Sequence, residues 1–464
     1  MDLLKYALNR AEERGAFQAE VYESSSDETH VLYEKKQLKV VEQKEDTGVG
    51  VRVAVKRRKG LSVGFFYINQ LTEDAVREAI DKALSIAKAK KPDPDFHSFQ
   101  EKLPPGDLGE VYDTEIPRID PENVVALAKR QIEAATSHRS IETTSGHLLL
   151  GEYEIRLTNS LGVEGSYRTT NFYSYCFSLA KDGDSLGRGW EEYANCLYNE
   201  DEALACSKSA ATLAIDQLHP KPTQKGKASL ILPPSAIAQI AIYLLAQMLR
   251  ADNVQRKQSA LAGKIGEEVG SDALTLIDDG RVPRAVGSKL FDDEGCPTRR
   301  TTLIEKGVLK SYLHNTYTAH KDGVENTGNA YRASILNPTP KYTLEPLIGP
   351  TNLMLKPGSG SQESLIKEVK EGVYAKGFIG AHTANTASGD FSLVLDTPFK
   401  IEKGERTYAV KEAMVGGNII KFLKNVEVVG NDVKQYEFNL SAAMLKDSAL
   451  ISPTILVKDV SISA

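Results

Sequence analysis

The chain of 464 residues reads as an α+β protein, and three features of its pattern say so. Apolar residues alternate at a period near two over 19–69 and again over 147–199, and a strong helical pattern follows each block. Strands gathered in runs and then followed by helices indicate antiparallel sheet, not the steady alternation of a parallel α/β fold. From Lys225 on, the chain turns to strands and Gly-rich turns, with one long apolar helix near the start of that region. The expectation is an N-terminal antiparallel sheet with helices over 1–220, then a β-rich domain with a buried helix over 221–464. Whether that second domain closes like a barrel is left open. At about 150 residues per domain, the length allows two or three units.

The elements follow in order. Residues 2–14 form a helix with Leu3, Leu4, Ala7 and Ala11 on one side. The stretch 19–69 reads as five short strands in a meander, VYESSS, THVLYEKKQ, QLKVVEQKED, GVGVRVAVKRR and GLSVGFFYIN. Gly48-Val49-Gly50 marks a turn or a close backbone approach. Lys56-Arg57-Arg58-Lys59 reads as a solvated hairpin tip. Thr72 caps a helix running to Lys90, with Glu73 and Asp74 in its first turn. Residues 91–113, with Pro92, Pro94, Pro104 and Pro105, read as an exposed connector between a 1–90 unit and a 114–220 unit. A helix at 121–136, a second block of strands and an Ala-rich helix at 201–218 complete the first part.

The second part opens on ASLILPPSAIAQIAIYLLAQMLRADNVQRK, residues 228–257. A strand ends at Pro233-Pro234, because proline cannot donate to a ladder. Ser235 is placed to cap the following helix. Ile237, Ile240, Ala241, Leu244, Leu245, Met248 and Leu249 form its apolar face, and Arg250 to Lys257 end it in charge. The helix holds no His, Glu or Cys. A shorter helix is expected at 362–370, capped after Pro357-Gly358-Ser359-Gly360-Ser361.

Composition excludes some roles. A net charge of -6 leaves no basic face for nucleic acid. No stretch approaches the roughly 20 apolar residues that span a bilayer. The first helix carries acidic residues and no cleavage pattern, so it does not read as a signal peptide. Cys176, Cys196, Cys206 and Cys296 form no CxxC, which fits reduced thiols and a cytoplasmic location.

Few motifs suggest chemistry. The three carboxylates of Phe291-Asp292-Asp293-Glu294-Gly295 could hold a hard cation, but a polar turn between strands is the simpler reading. His314 and His320 would share a face of one strand, too far apart for one ion. Ser388-Gly389-Asp390 with His382 has the residue types of a nucleophile system without the strand-turn-helix of a nucleophile elbow. Cys296 has no visible base.

The residues after Thr275 carry a resemblance. FDDEG at 291–295, TRRT at 298–301, IEKG at 304–307, GAH at 380–382, TASGDFS at 386–392, Gly417-Asn418, Asn425-Val426 and VGND at 429–432 succeed one another in the order of the TldD/PmbA family. The N-terminal half is a weaker but consistent match. The resemblance implies two kinds of chain. TldD-like chains carry a His-Glu-x-x-x-His zinc box on the long helix and a late Cys ligand. TldE/PmbA-like chains lack both and pair with a TldD-like chain. Here the box positions fall near Tyr243, Leu244 and Met248, and the late Cys near Asn439–Ala443, where there is none. The chain thus resembles the TldE/PmbA side.

This implies a non-catalytic subunit of a heteromeric zinc peptidase acting on unfolded or extended peptides. It would form chamber wall and bind substrate along a sheet edge. The partner implied is a TldD-like HExxxH subunit, which alone would hold zinc; no cofactor is expected in this chain. No catalytic or metal residue is expected here, and substrate contacts are assigned to His382, Asn385, Ser388, Gly389, Asp390, Gly417 and Asn418. Two alternatives stand beside it: a homodimeric peptide-binding protein without protease activity, and a hydrolase using Ser388 or Cys296. Neither a nucleic acid nor a membrane partner is expected.

Overall fold

A computed structural model describes residues 2–103, 106, 108–333, 339–440 and 443–463. The N-terminal part is one plan built twice. Helix α1 (Leu3–Glu13) precedes β1 (Gln18–Glu34), β2 (Gln37–Arg57), β3 (Gly60–Ile68) and α2 (Glu73–Ala89). Helix α3 (Pro121–Ala135) then precedes β4 (Ile141–Asn159), β5 (Glu164–Asp182), β6 (Ser185–Asn195) and α4 (Glu200–Asp216). All six strands join one antiparallel sheet in the order β3-β2-β1-β4-β5-β6, so the two units meet at its centre, where Ser26 stands opposite Tyr153.

Alternation along the strands divides the sheet into two faces. Ala19, Val21 and Val51 pack under α1 and α2, while Val31, Leu148 and Phe172 pack under α3 and α4. The intervening residues Glu20, Tyr22, Glu28 and Ile155 turn to the other face, against the C-terminal domain. Each helix starts as its first residues dictate: the side chains of Asp2, Thr72, Asp120 and Asn199 accept from free N–H groups of the first turn.

The two units repeat one packing device. A Cβ at Gly64 would lie 2.0 Å from the Ala83 carbonyl oxygen of α2, and one at Gly189 would lie 2.3 Å from that of Ala210 in α4. The helices lie against bare backbone of β3 and β6. Gly64→Val or Gly189→Val must lift a helix, and each is expected to lower stability by about 1–3 kcal/mol or more in urea unfolding. Unchanged stability would contradict this packing.

The meander differs from its reading. Its five segments are three long strands, with β1 running 17 residues and β2 running 21. Ser24, Ser25 and Ser26 do not break β1, because paired strands on both sides hold it. Gly48 and Gly50 lie inside β2, where a Cβ at Gly48 would sit 2.4 Å from the Tyr342 ring; the glycines serve close approach, not a turn. The connector is not uniformly exposed either. Phe99 and Gln100 are buried: the Phe99 N–H donates to Gln18, and the Gln100 carbonyl accepts from Asn159. Pro104 and Pro105 lie outside the described residues.

In the C-terminal domain, five strands close a barrel. Gly226–Leu232 lies between Glu371–Ile379 and Ile455–Ser463; Met414–Asn418 joins Ile455–Ser463 to Asp390–Glu402; and Asp390–Glu402 pairs back on Glu371–Ile379. Closure leaves these strands no open edge over the paired residues. A second, mixed sheet contains Leu276–Asp279, Asn352–Leu355 and Lys434–Leu440 among its six strands. The apolar helix lies between barrel and mixed sheet, as Pro234–Ile240, a π turn at Ala241–Leu245, and Ala246–Leu249. It is buried nearly all round, which its composition requires.

Two local expectations are corrected here. Ser235 does not cap the helix; Pro234 is already helical, and the Ser235 hydroxyl donates to the Lys376 carbonyl at 2.7 Å, fastening helix to barrel. Arg250 takes extended angles, so the charged residues after it form a separate short helix, Ala251–Gln255. Helix Gln362–Glu368 is capped by Ser361 as expected.

Candidate functional site

A groove of about 690 Å³ opens between the free face of the N-terminal sheet and the mouth of the barrel. Its floor comes from alternate residues of four strands: His30 and Leu32 on β1, His147 and Leu149 on β4, Tyr173, Tyr175 and Phe177 on β5, and Arg188, Trp190 and Glu192 on β6. Glu42 of β2 stands at its side. Gln239 and Tyr243 of the buried helix, Phe378 to His382, and Asp396 form the opposite wall. The volume and the apolar, aromatic lining suit a peptide-sized ligand.

Polar groups in and beside the groove are tied to one another. Glu28 Oε2 lies 2.8 Å from His30 Nε2, and His30 Nδ1 lies 3.1 Å from His147 Nε2, with the two rings stacked at 5.3 Å. Trp190 Nε1–H donates to Asp396 at 2.7 Å, and Arg188 pairs with the same carboxylate at 2.9 Å. Glu191, beside Trp190 on β6, meets Lys376 at 2.7 Å and accepts from the Tyr436 hydroxyl at 2.9 Å. Burial alone would raise Glu191, but Lys376 and Tyr436 outweigh it and hold the carboxyl below its ordinary range.

Glu192 behaves oppositely. Burial pushes it up to about 8, with Glu191 and Glu437 adding to the rise, although the Tyr173 hydroxyl donates to it at 3.1 Å. The folded chain therefore holds this proton more tightly than the unfolded chain does. The associated stability is complete below the ordinary carboxyl pKa of 4.5 and is lost as pH rises through about 8. Glu192→Gln is expected to flatten the decline in stability between about pH 5 and pH 8, read by denaturant unfolding across that range. An identical pH profile would contradict the buried, protonated state.

The zinc-box positions do not fit a metal. Tyr243 faces the groove, edge-on to His382 at 6.0 Å between ring centroids, while Leu244 and Met248 are buried in the core. A π turn at Ala241–Leu245, in which Ala246 N–H donates to the Ala241 carbonyl, surrounds Tyr243. Phenol, isobutyl and thioether side chains cannot replace imidazole and carboxylate on zinc. Gln239, also on the groove side, accepts a hydrogen bond from the Phe378 N–H. Among the described residues, no three His, Cys, Asp or Glu are grouped to hold a metal ion. Ser441 and Ala442, in the expected late-Cys stretch, lie outside the described residues.

The residues assigned to substrate separate into two places. His382 is in the groove wall. Asn385, Ser388, Gly389, Asp390, Gly417 and Asn418 come together elsewhere, in an exposed turn knit to its own backbone. Asn418 Nδ2 donates to the Ser388 carbonyl at 2.8 Å and to Asp390 at 3.0 Å, and the Asp390 N–H donates to the Ser388 hydroxyl. Hydrogen bonds from Asn418 and Ser388 hold Asp390 below its ordinary pKa. This geometry stabilises a turn and serves no nucleophile. Cys296 is fully buried, and burial pushes its thiol well above the ordinary value.

The acidic motif is also consumed internally. Asp292 accepts from three backbone N–H groups, those of Glu294, Cys296 and Ala330. Asp293 accepts from the Tyr22 hydroxyl and the Arg332 N–H, and Glu294 pairs with Arg52. The polar turn expected at 291–295 is thus buried at a domain joint. His314 lies in a loop and His320 on the helix Thr316–Asp322, so they do not share a strand.

Sequence reasoning missed the Glu28–His30–His147 chain, whose members are 117 residues apart between the two imidazoles. It also missed an open edge. β3 pairs with β2 only from Val49 onward, so among the described residues 37–47 has no strand on its outer side. Most of that segment is exposed, and Lys39, Glu42, Lys44, Glu45 and Asp46 place charge along it, a usual protection of an edge, although Val40 and Val41 are exposed as well.

Three family profiles cover the chain. Residues 19–87 match PmbA/TldA metallopeptidase domain 1, residues 114–218 its central domain, and residues 225–464 its C-terminal domain. The chain belongs to the PmbA/TldD family. An uncharacterized protein of Methanocaldococcus jannaschii is 30% identical over 463 residues, 99% of each chain. A metalloprotease of the same organism is 30% identical over 396 residues, 83% of this chain and 84% of the relative. Among solved structures, TldE from Thermococcus kodakarensis superposes with a TM-score of 0.89 at 22% identity and 100% coverage of both chains, a likeness of fold. The doubled sheet, the barrel and the buried helix are thus the PmbA/TldD fold. No helix among the described residues is long and apolar enough to cross a membrane.

Proposed function

We propose that this chain is the TldE/PmbA-like, non-catalytic subunit of a heteromeric TldD/TldE-type metallopeptidase, and that its groove binds unfolded or extended peptide. The observation that carries the reading is the helix beside the groove. The family fold is intact, yet the groove-facing side chains of this helix are Gln239 and Tyr243, which cannot hold zinc. Zinc and hydrolysis then belong to a TldD-like partner, and this chain supplies wall and binding surface.

We assign strand addition to an edge other than the self-satisfied turn that holds Asn385 to Asp390, Gly417 and Asn418. On barrel strand Glu371–Ile379 the Lys376 carbonyl and Phe378 N–H are already engaged by Ser235 and Gln239. The open edge at 37–47, which runs along the groove through Glu42, offers backbone groups to an extended chain or to a partner's strand. The aromatic floor would hold apolar side chains of a peptide without reading its sequence.

The test is a peptidase assay and a metal analysis on the purified chain alone. The expected result is no turnover of an unfolded polypeptide above blank and no stoichiometric zinc. Zinc-dependent turnover by this chain alone overturns the reading.

A further inference from the structure

Farther along the same face of the sheet lies a second, smaller cavity of about 110 Å³. The alternation that builds the groove leads into it: His30 faces the groove, while Glu28, Ser26 and Ser24 face the cavity. On β5 the same step runs from Tyr173 to Thr169 and Tyr167. Asn171 lies between, hydrogen-bonded to Glu437 at 2.9 Å. The opposite wall belongs to the C-terminal domain and includes Ser288, Lys289, Tyr331, Arg332 and Lys341.

The buried cations of that wall are matched by anions, with one exception. Arg332 pairs with Glu20 at 2.8 Å, and Lys341 with Asp447 at 2.5 Å and Asp293 at 3.5 Å. Lys289 is 2% exposed, and its ammonium has neither a hydrogen bond nor an ion pair among the described residues; it stands 4.8 Å from the centre of the Tyr331 ring. Burial, with Lys341 close by, lowers its pKa. A buried ammonium without an anion in contact is strongly unfavourable, and the cavity beside it is the place for a compensating charge.

The chemistry of that ligand follows from the walls. Arg332 has one carboxylate in contact and Lys341 has two, so Lys289 alone on this wall lacks one, and a group of single negative charge is the most that it calls for. Asp447, Glu28 and Asp46 also line the cavity and would repel a more highly charged group. The hydroxyls of Ser24, Ser26, Tyr167 and Thr169 can donate to oxygen acceptors. The volume holds several waters' worth of ligand, enough for a carboxylate and a short attached group. We propose that this cavity binds a carboxylate through Lys289 and the facing hydroxyls of β1 and β5. Because its walls come from both domains, the bound ligand ties the sheet to the C-terminal domain. The proposal is independent of the groove's role. The carboxylate belongs either to a free small acid or to the end of a peptide.

Isothermal titration calorimetry on the full chain tests it, with acetate, glutamate, tri-alanine and tri-alanine amide as probes. The expected result is one-to-one binding of at least one carboxylate, weakened by about tenfold or more in Lys289→Met. Binding of acetate or glutamate alone identifies a free acid, and binding of tri-alanine but not its amide identifies a chain end. Ligand-free Lys289→Met is expected to be at least as stable as the parent, since it removes an unmatched charge. Should it fail to fold, Thr169→Val, which loses only a hydroxyl from the opposite wall, is expected to weaken the same binding. No binding by any carboxylate, equal binding of the amide, or undiminished binding in the variant that folds overturns the proposal.

Discussion

Glu20→Gln is expected to destabilise the chain by about 3–5 kcal/mol, the range for breaking a buried ion network by removing one partner. Glu20 is fully buried on β1 and faces two guanidinium groups. Arg52 of β2 meets it through two nitrogens, at 2.9 and 2.8 Å, and Arg332 of the C-terminal domain meets it at 2.8 Å. Arg52 also bonds Glu294, so the network crosses the domain joint twice. Glutamine keeps the shape and removes the charge, leaving two buried cations with one fewer anion. Urea unfolding measures the loss. A combined Glu20→Gln, Arg332→Met variant should lose less than the sum of the two single changes, because each change removes part of what the other strands. A single variant within about 0.5 kcal/mol of the parent would contradict the network's role.

Trp190→Ala is the second large effect, expected at about 3–5 kcal/mol. The ring is the joint at the other end of the domain interface. It lies against Gly377 of the barrel, where a Cβ would be 3.2 Å from it, and its face lies 5.1 Å from the Lys376 ammonium. Alanine empties this joint, widens the groove and removes one donor from Asp396. Trp190→Phe keeps most of the packing and loses the hydrogen bond, so it should cost about 1 kcal/mol. Circular dichroism unfolding separates the two, because Trp190 is the only tryptophan and fluorescence cannot follow its loss. Equal losses for Ala and Phe would assign the stabilisation to the hydrogen bond instead of the packing.

Much of this fold was legible in the sequence, for physical reasons that differ by element. The helices α1 to α4 announced themselves through caps and apolar stripes. The α+β class followed from the two changes of period. Strand lengths were misjudged because Asp27-Glu28 read as a break between VYESSS and THVLYEKKQ, when Glu28 in fact lines a cavity on the inner face of the sheet. The barrel's closure rests on pairings between residues far apart, such as Gly226–Leu232 with Ile455–Ser463, and no local pattern reveals these. The buried helix was legible, and so was its lack of ligands, since both follow from residue types alone. The groove was not. Its members come from seven strands, the buried helix and the turn after Ile379, and only Tyr243 and His382 had been singled out as site positions. The turn at 385–390 attracted attention through its Gly, Ser and Asp, yet those residues satisfy one another. FDDEG was read as a polar turn between strands, and its burial was not foreseen; Arg52, Arg332 and backbone N–H groups supplied from distant segments make that burial tolerable.

The most direct test of the account is to isolate this chain from its own cell and identify by mass spectrometry what accompanies it. The account predicts a stoichiometric second chain of similar length that carries His-Glu-x-x-x-His, with peptidase activity in the pair and none in this chain alone. Recovery of this chain only, as a symmetric dimer, would contradict it.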